Sequence, residues 1–338
     1  MNLQAFANRQ LEQVEPSIAT CSELREQFVP TPTFEKFLAR LFYVLELRED
    51  RMKVGSEGIK GLALIGPPGT GKTRTVRMAA ELYADSVEAR GGRQFGSKVI
   101  TVTVPSRASV KDTCCEILRQ LGYPITGTRT EDYLVNRVIE KLEEHRIAGL
   151  HLDEFQDAGK HASKASLEMF TKRFRNLMQS SRWPVSLILS GTMEARELLN
   201  VDKTLARRTQ PIEIPPMDID VEGVAMVRAI RQMLEKVGLD DDGLLKSRKF
   251  QARLIHAAAG RFGTSLEIAI ETIEEALRDG AQTLTANHFA EAYYLRTEAD
   301  DDLNPFVAKQ YKAIDTTQLL DRQMEEKDPP KKRTSKQV

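Results

Sequence analysis

Apolar residues recur at helical spacing from Phe34 to Leu47, at Phe34, Phe37, Leu38, Leu41 and Leu45, behind an entry set by Pro30 and Pro32, and this predicts an amphipathic helix. The texture then changes to short, nearly unbroken apolar runs at Leu62–Ile65, Val99–Val104, Gly149–Leu152, Val185–Leu189 and Pro211–Ile214, with helix-like stretches between them. A strand covered on both faces reads as a continuous apolar run rather than an alternating one, so these runs predict an α/β domain with a parallel sheet and helices on both sides. After Pro215-Pro216 the strand-like runs stop. Residues 218–297 carry only helical periodicity, with candidate helices near 220–237, 248–259, 264–279 and 285–297, and predict a separate all-helical domain. The expected division is an N-terminal extension over 1–30, the α/β domain over 31–216, the helical domain over 217–298 and a flexible tail over 299–338. The tail assignment rests on falling apolar density after Asp300 and on the polar stretch Asp328 to Val338, with its two prolines and a Lys-Lys-Arg run.

Composition narrows the class. Of 338 residues, 41% are hydrophobic and 29% charged, a globular profile that excludes collagen-like, wholly disordered and disulfide-stapled chains. No window approaches the ~18 consecutive apolar residues of a membrane helix, and Met1 to Val29 lacks the apolar core of a signal peptide. The three cysteines, Cys21, Cys114 and Cys115, form no C-x-x-C pair, so a cytoplasmic location without membrane contact is expected. The five histidines show no metal-ligand spacing. Basic and acidic residues number 49 each, which argues against a wholesale basic coat on nucleic acid but leaves a local basic patch open.

The first run ends in Gly66-Pro67-Pro68-Gly69-Thr70-Gly71-Lys72-Thr73, which fits G-x-x-x-x-G-K-[ST] between a strand and a helix pattern, Arg74 to Tyr83. Glycines let the backbone fold back so that its N–H groups face phosphate oxygens, and the helix that follows adds its positive end. In this pattern Lys72 reaches the β- and γ-phosphates, and the Thr73 hydroxyl binds Mg²⁺. A triphosphate site needs a second acid for the metal. The third run supplies Asp153-Glu154 at its carboxyl end, where open α/β sheets bind ligands. Asp153 is expected to hold Mg²⁺ partly through water, and Glu154 to polarise the attacking water. His151, among apolar neighbours in the same run, reads as a core histidine. The fourth run ends Leu189-Ser190-Gly191-Thr192. A polar group there would lie between Asp153 and the phosphate loop, with Ser190 the first choice, Thr192 the second, and a helix cap the plainer alternative.

The phosphate loop, the Asp153-Glu154 pair, the polar strand end and a helical domain after the sheet together resemble the AAA+ ATPases. More narrowly, Phe28-Val29-Pro30-Thr31, Arg51-Met52, Val104-Pro105-Ser106, the Val110 to Leu121 stretch with its Gly122-Tyr123-Pro124 end, and Leu205-Ala206-Arg207-Arg208 resemble the TniB/TnsC group of transposition regulators. The resemblance implies an AAA+ P-loop three-layer αβα domain followed by a helical lid, with ATP and Mg²⁺ bound and hydrolysed at subunit interfaces. It also implies an arginine donated to the γ-phosphate by a neighbouring copy from just before the fifth strand, where Arg207 and Arg208 stand without a choice between them. A lid arginine is usual in the class. Here Arg261 lies two or three positions early and is a weaker match, with a helix-capping loop as the alternative.

The same resemblance implies self-assembly into a ring or helical filament on double-stranded DNA, and contacts to a transposase and to a target selector of the TniQ type. Ser106, Arg107 and Lys111 are the residues to test for DNA. Arg107 and Lys111 are four apart, so on a helix they would share a face, and Ser106 and Ser109 could donate to phosphates. The cluster Lys172-Arg173-Arg175 with Arg182 reads as a solvated helix face or subunit contact. In the tail, Asn304-Pro305-Phe306 and Leu319-Leu320 could anchor a partner. Two other functions remain open: a helicase loader or replication initiator, and a nucleotide-gated scaffold without DNA contact.

Overall fold

The computed structural model describes residues 3–55, 58–159 and 163–317. Contacts divide the chain into two units: residues 28–215, and the segments on either side of them. In chain order the elements are α1 (Leu3–Glu26), α2 (Pro32–Val54), β1 (Gly61–Ile65), α3 (Lys72–Glu88), β2 (Lys98–Thr103), α4 (Val110–Gln120), α5 (Glu131–Glu144), β3 (Ile147–Asp153), α6 (Lys164–Leu177), β4 (Ser186–Gly191), α7 (Met193–Val201), α8 (Lys203–Arg208) and β5 (Thr209–Glu213). Then follow α9 (Glu222–Val237), α10 (Arg248–Ala257), α11 (Phe262–Arg278) and α12 (Ala286–Thr297).

All pairings in the 28–215 unit are parallel, in the order β2-β3-β4-β1-β5. The central strands β1, β3 and β4 are buried at every position, which is why they read as unbroken apolar runs. Pro211 is tolerated because β5 is an edge strand. Alternate residues face opposite ways. Ala63, Ile65, Val102, Leu150, Leu152, Leu187 and Leu189 pack beneath α4, α5, α6 and α7. Leu62, Leu64, Ala148, Ile188 and Ile212 pack beneath α2 and α3. The result is the expected three-layer αβα sandwich. Thr31 caps α2 by accepting from the Phe34 N–H at 3.2 Å, and Pro32 takes the first turn, where its missing N–H costs nothing.

Arg48 on α2 is fully buried. Its guanidinium donates to the carbonyls of Pro184 (2.7 Å), Phe95 (3.0 Å) and Ile147 (3.4 Å) and lies over the Trp183 ring at 5.1 Å. Burial lowers its pKa to about 10, which still leaves it charged at neutral pH. Neighbouring Glu49 accepts from the Gln94 and Phe95 N–H groups at 3.0 Å each. This pair joins α2 to the chain entering three strands. Replacing Arg48 by methionine strands carbonyls away from water, and an uncompensated buried polar group costs about 1–3 kcal/mol. Arg48→Met is therefore expected to lower unfolding stability by roughly 3 kcal/mol or more, read from the urea midpoint of the full chain.

The second unit differs from expectation at both ends. The N-terminal extension expected over 1–30 divides: Cys21 and Leu24 of α1 are buried in the same core as Met226, Ile230, Leu254, Ile268, Ile273 and Phe289 of the helical domain, and Arg25 pairs with Glu274 at 2.8 Å, whereas the residues from Phe28 on belong to the sheet-bearing unit. A helix whose sequence is largely polar escapes a periodicity search. The flexible tail expected from 299 is also corrected, for residues 299–316. Phe306 stacks among Phe250, Phe289 and Tyr293 at 5.9, 5.3 and 5.9 Å. Asn304 donates to the Ala290 carbonyl at 2.8 Å, Arg253 to that of Ala308 at 2.9 Å, and Thr316 to that of His256 at 2.6 Å. The aromatic anchor expected to seize a partner is spent inside the fold. Irregular backbone held by side-chain-to-carbonyl bonds has low apolar density and no period, so pattern reading takes it for tail. Leu319-Leu320 and the Asp328–Val338 stretch lie outside the described residues.

Among the described residues no helix is long and apolar enough to cross a membrane, and no cluster of side chains is arranged to hold a metal through three or more His, Cys, Asp or Glu. Cys21 and Cys114 are buried free thiols pushed up to about 11 and about 12 by desolvation, so neither is a reactive thiolate at neutral pH.

Candidate active site

The carboxyl ends of β1, β3 and β4 meet where the strand order reverses, with β1 inserted between β4 and β5. That is the crevice in which open α/β sheets bind ligands. The loop Gly66–Gly71 crosses it and enters α3. Gly69 and Gly71 take left-handed backbone, at φ 75° and 81°, conformations that cost a residue with a Cβ about 1–2 kcal/mol. Lys72 is buried, and its ammonium donates to the Gly66 and Pro67 carbonyls at 2.9 Å each. Thr70 closes the loop by donating to the Pro67 carbonyl at 2.8 Å. A cation and a helix N-terminus thus stand together at one glycine-rich loop, the arrangement that binds phosphate.

Asp153 lies at the end of β3. Its Oδ2 accepts from Thr73 Oγ1 at 2.6 Å; its Oδ1 accepts from the Ser190 hydroxyl and from the Glu154 N–H at 3.1 Å. Burial pushes this carboxyl up, but the hydrogen bonds from Ser190, Thr73 and the Glu154 amide outweigh it and hold the group below the usual carboxylate range. The residue pair read from separate parts of the sequence as a metal site, Thr73 and Asp153, is therefore in direct contact. A hydroxyl and a carboxylate are hard oxygen donors of the kind Mg²⁺ takes, with the remaining positions left to water and phosphate. Ser190, the first choice at the β4 end, touches Asp153. Thr192 instead starts α7 and donates to Glu194.

Glu154 follows in left-handed backbone at φ 53°, a costly conformation for a non-glycine residue and one found at functional sites. A residue that sequence reading passed over, Gln156, holds it. The Gln156 amide nitrogen donates to Glu154, and its oxygen accepts from the Thr192 N–H at 3.1 Å. Gly191 makes room for this bridge, because a Cβ there would press on the Gln156 amide and stand 2.6 Å from Ala195 Cβ. The available signal was that glycine, at the end of a buried strand. Glu154 opens onto a cavity of about 760 Å³ whose wall carries Asp157, Glu194 and Glu197 around Leu167, Leu198 and Val201.

His151 is fully buried on β3. Its Nε2 lies 2.7 Å from Ser190 Oγ and its Nδ1 3.1 Å from Thr101 Oγ1. Burial lowers its pKa to about 4, so the ring is neutral at pH 7.

Arg207 and Arg208 end the short helix α8, directly before β5. Asp202 caps that helix, accepting from the Thr204 and Leu205 N–H groups at 2.8 and 3.0 Å, and Arg175 grips the same carboxylate at 2.8 and 3.0 Å. Arg207 is exposed. Arg208 is half-buried, lines a second cavity with Arg51 and Met178, and its Nε has no hydrogen-bond acceptor. Arg173 pairs with Glu131 and Asp132 at 2.6 and 2.9 Å, and Arg182 with Glu140 at 3.4 Å, so these two and Arg175 make ion pairs inside the chain, while Lys172 and Arg182 stay exposed as a solvated face requires.

Ser106, Arg107 and Lys111 are exposed, but the shared helical face expected of Arg107 and Lys111 does not form. The helix begins only at Val110, with Ser109 and Asp112 locked in a reciprocal capping box, and Arg107 sits outside it at φ 60° with its N–H on the Asp157 carbonyl at 3.1 Å. Ser109 is occupied by this cap. Arg261 is the residue preceding α11, as the capping-loop alternative had it, and makes no side-chain cap bond.

A five-stranded parallel sheet of this order, a phosphate loop at its switch point and a helical domain after it make up the AAA+ P-loop fold. A family model described as an AAA domain matches residues 57–199. Among solved structures the chain is similar to the ORC2 protein of Aeropyrum pernix in its ADPNP-ADP complexes, at 14% identity over 79% of this chain and 70% of that one, with a TM-score of 0.56. It is similar to Cdc6p of Pyrobaculum aerophilum, at 17% identity over 82% and 70%, TM-score 0.54. It is also similar to the ORC1 protein of Aeropyrum pernix in complex with DNA, at 20% identity over 82% and 69%, TM-score 0.54. At these identities the likeness establishes the fold.

Proposed function

We propose that this chain is a Mg²⁺-dependent ATPase that assembles through its nucleotide on double-stranded DNA and regulates DNA transposition, marking target DNA for a transposase. The observation that carries the ATPase part is the convergence of Lys72, Thr73, Asp153, Glu154 and Ser190 at one end of the sheet. In this reading the Gly66–Gly71 amides and Lys72 bind the phosphates, and Thr73 and Asp153 hold the metal, which supplies charge neutralisation to the transferring phosphoryl group. Glu154 takes a proton from the attacking water.

Arg207 is the arginine offered to the next copy. It is exposed on a rigidly capped helix, and the acidic cavity beside Glu154 is a complementary place for a guanidinium to enter. Hydrolysis then depends on assembly, so ATP builds the ring or filament and its turnover dismantles it. The transposition part rests on the TniB/TnsC-like stretches around Phe28-Val29-Pro30-Thr31 and Leu205-Ala206-Arg207-Arg208, with a transposase and a TniQ-type selector as the partners they imply. A second reading, a replication initiator or helicase loader, is favoured by the fold likeness to ORC and Cdc6 proteins. Binding of the purified chain to duplex DNA with a non-hydrolysable ATP analogue tests the shared part. Affinity should appear only with nucleotide and fall linearly on a log–log salt plot. Assembly indifferent to DNA would remove the DNA role. Stimulation of a partner transposase, against loading of a helicase, separates the two readings.

Glu154→Gln is expected to keep ATP binding and to slow turnover by about 10²–10⁴, the usual contribution of a positioned general base. The assembled state should then outlast that of the unaltered protein in a light-scattering decay after ATP is diluted.

A further inference from the structure

The described surface and interior offer several features besides the site: the acidic cluster of Glu271, Glu274 and Glu275 on α11, the cavity lined by Arg51 and Arg208, and a buried polar row across the sheet. The row carries an argument to its end. Thr101 on β2, His151 and Asp153 on β3 and Ser190 on β4 lie on one face of the sheet. Thr101 is in register with His151, His151 with Ile188, and residues two apart on a strand share a face. This is the face covered by α2 and by α3, which brings Thr73.

The direction of every bond in the row follows from its far end. The carboxylate of Asp153 can only accept, so the Ser190 proton goes to Asp153 Oδ1. The Ser190 oxygen must then accept from His151, which places the ring proton on Nε2. Nδ1 is left as an acceptor, filled by the Thr101 hydroxyl at 3.1 Å. One tautomer satisfies all the groups, and it leaves Asp153 Oδ2 for Thr73. We propose that His151 is a positioning residue for the metal-binding carboxylate, orienting Asp153 through Ser190 by a one-way chain of hydrogen bonds that starts at Thr101. The inference rests on the reading of Thr73 and Asp153 as the Mg²⁺ site. A side chain there that only filled space would be apolar, like Leu150 and Leu152 on either side.

The test uses the full chain and a fluorescent ATP analogue. With EDTA present, His151→Leu should bind the nucleotide as the unaltered protein does. The Mg²⁺ concentration needed for half of the metal-dependent gain in binding should rise about 10–100-fold, the effect usual for a partner behind a metal ligand. His151→Gln, which keeps a donor where Nε2 stood, should recover most of it. Ser190→Ala should match His151→Leu, and the double variant should be no worse than Ser190→Ala alone, because both act through one bond. An unchanged Mg²⁺ dependence in His151→Leu, or additive losses in the double variant, would overturn the proposal. Independently of nucleotide, ¹⁵N NMR of the histidine ring should find the proton on Nε2. A ring protonated on Nδ1 overturns the chain even if ATP binds normally. A wild-type protein that binds no Mg²⁺-ATP but has the Nε2 tautomer would overturn the metal-site reading, and with it the role assigned to His151, while leaving the tautomer assignment intact.

Discussion

Lys72→Ala should weaken ATP binding at least 100-fold. The ammonium is buried at the mouth of the phosphate loop, with donors aimed at the Gly66 and Pro67 carbonyls. Hydrogen bonds from a charged donor are worth about 1.5–3 kcal/mol each, so losing the two contacts proposed for Lys72 to the β- and γ-phosphates implies at least a 100-fold weaker dissociation constant, at about 1.4 kcal/mol per factor of ten. Isothermal calorimetry with Mg²⁺-ATP reads this directly. A melting temperature near that of the unaltered chain would place the loss in the site rather than in the fold. Undiminished heat of binding would remove Lys72 from the phosphate site and with it the proposed activity.

Arg207→Ala should leave nucleotide affinity unchanged and cut turnover by about 10³–10⁵, the range for an arginine that stabilises a transferring phosphoryl group. Since the guanidinium serves a neighbouring copy, mixing Arg207→Ala with Lys72→Ala should restore part of the activity: one variant keeps an intact site, the other an intact arginine. Arg208→Ala, altering a half-buried side chain that lines a cavity with Arg51 and Met178, should cost turnover far less. Loss in Arg208→Ala with none in Arg207→Ala would exchange the two assignments, and absence of complementation on mixing would argue against catalysis between copies.

The central strands and the phosphate loop were legible because their signals are local. Leu62–Ile65 is an apolar run in a strand buried at every position, and Gly66–Thr73 is a chain of residues chosen for backbone geometry. The division of labour at the β4 end was partly legible. Ser190 could be placed near Asp153, but its bond to His151 could not, since it needs the register of β3 against β4. Gln156 was missed altogether: a glutamine in a short turn looks like surface until Gly191 is seen to leave it space. Arg107 and Lys111 failed the other way, because spacing alone assumed a helix that already holds Arg107, and the Ser109–Asp112 cap starts it only at Val110.

By itself the order of residues determined the strands, the sheet class, the phosphate loop and the acids at the β3 end, since each follows from propensity, burial pattern or backbone freedom within a few neighbouring positions. Only the tertiary structure decided that Thr73 meets Asp153, that Arg207 rather than Arg208 faces outward, that α1 joins the helical core and that residues 299–316 are part of it. These are contacts between segments distant in the chain. Their energy comes from burial and from satisfying polar groups against partners that no local pattern names.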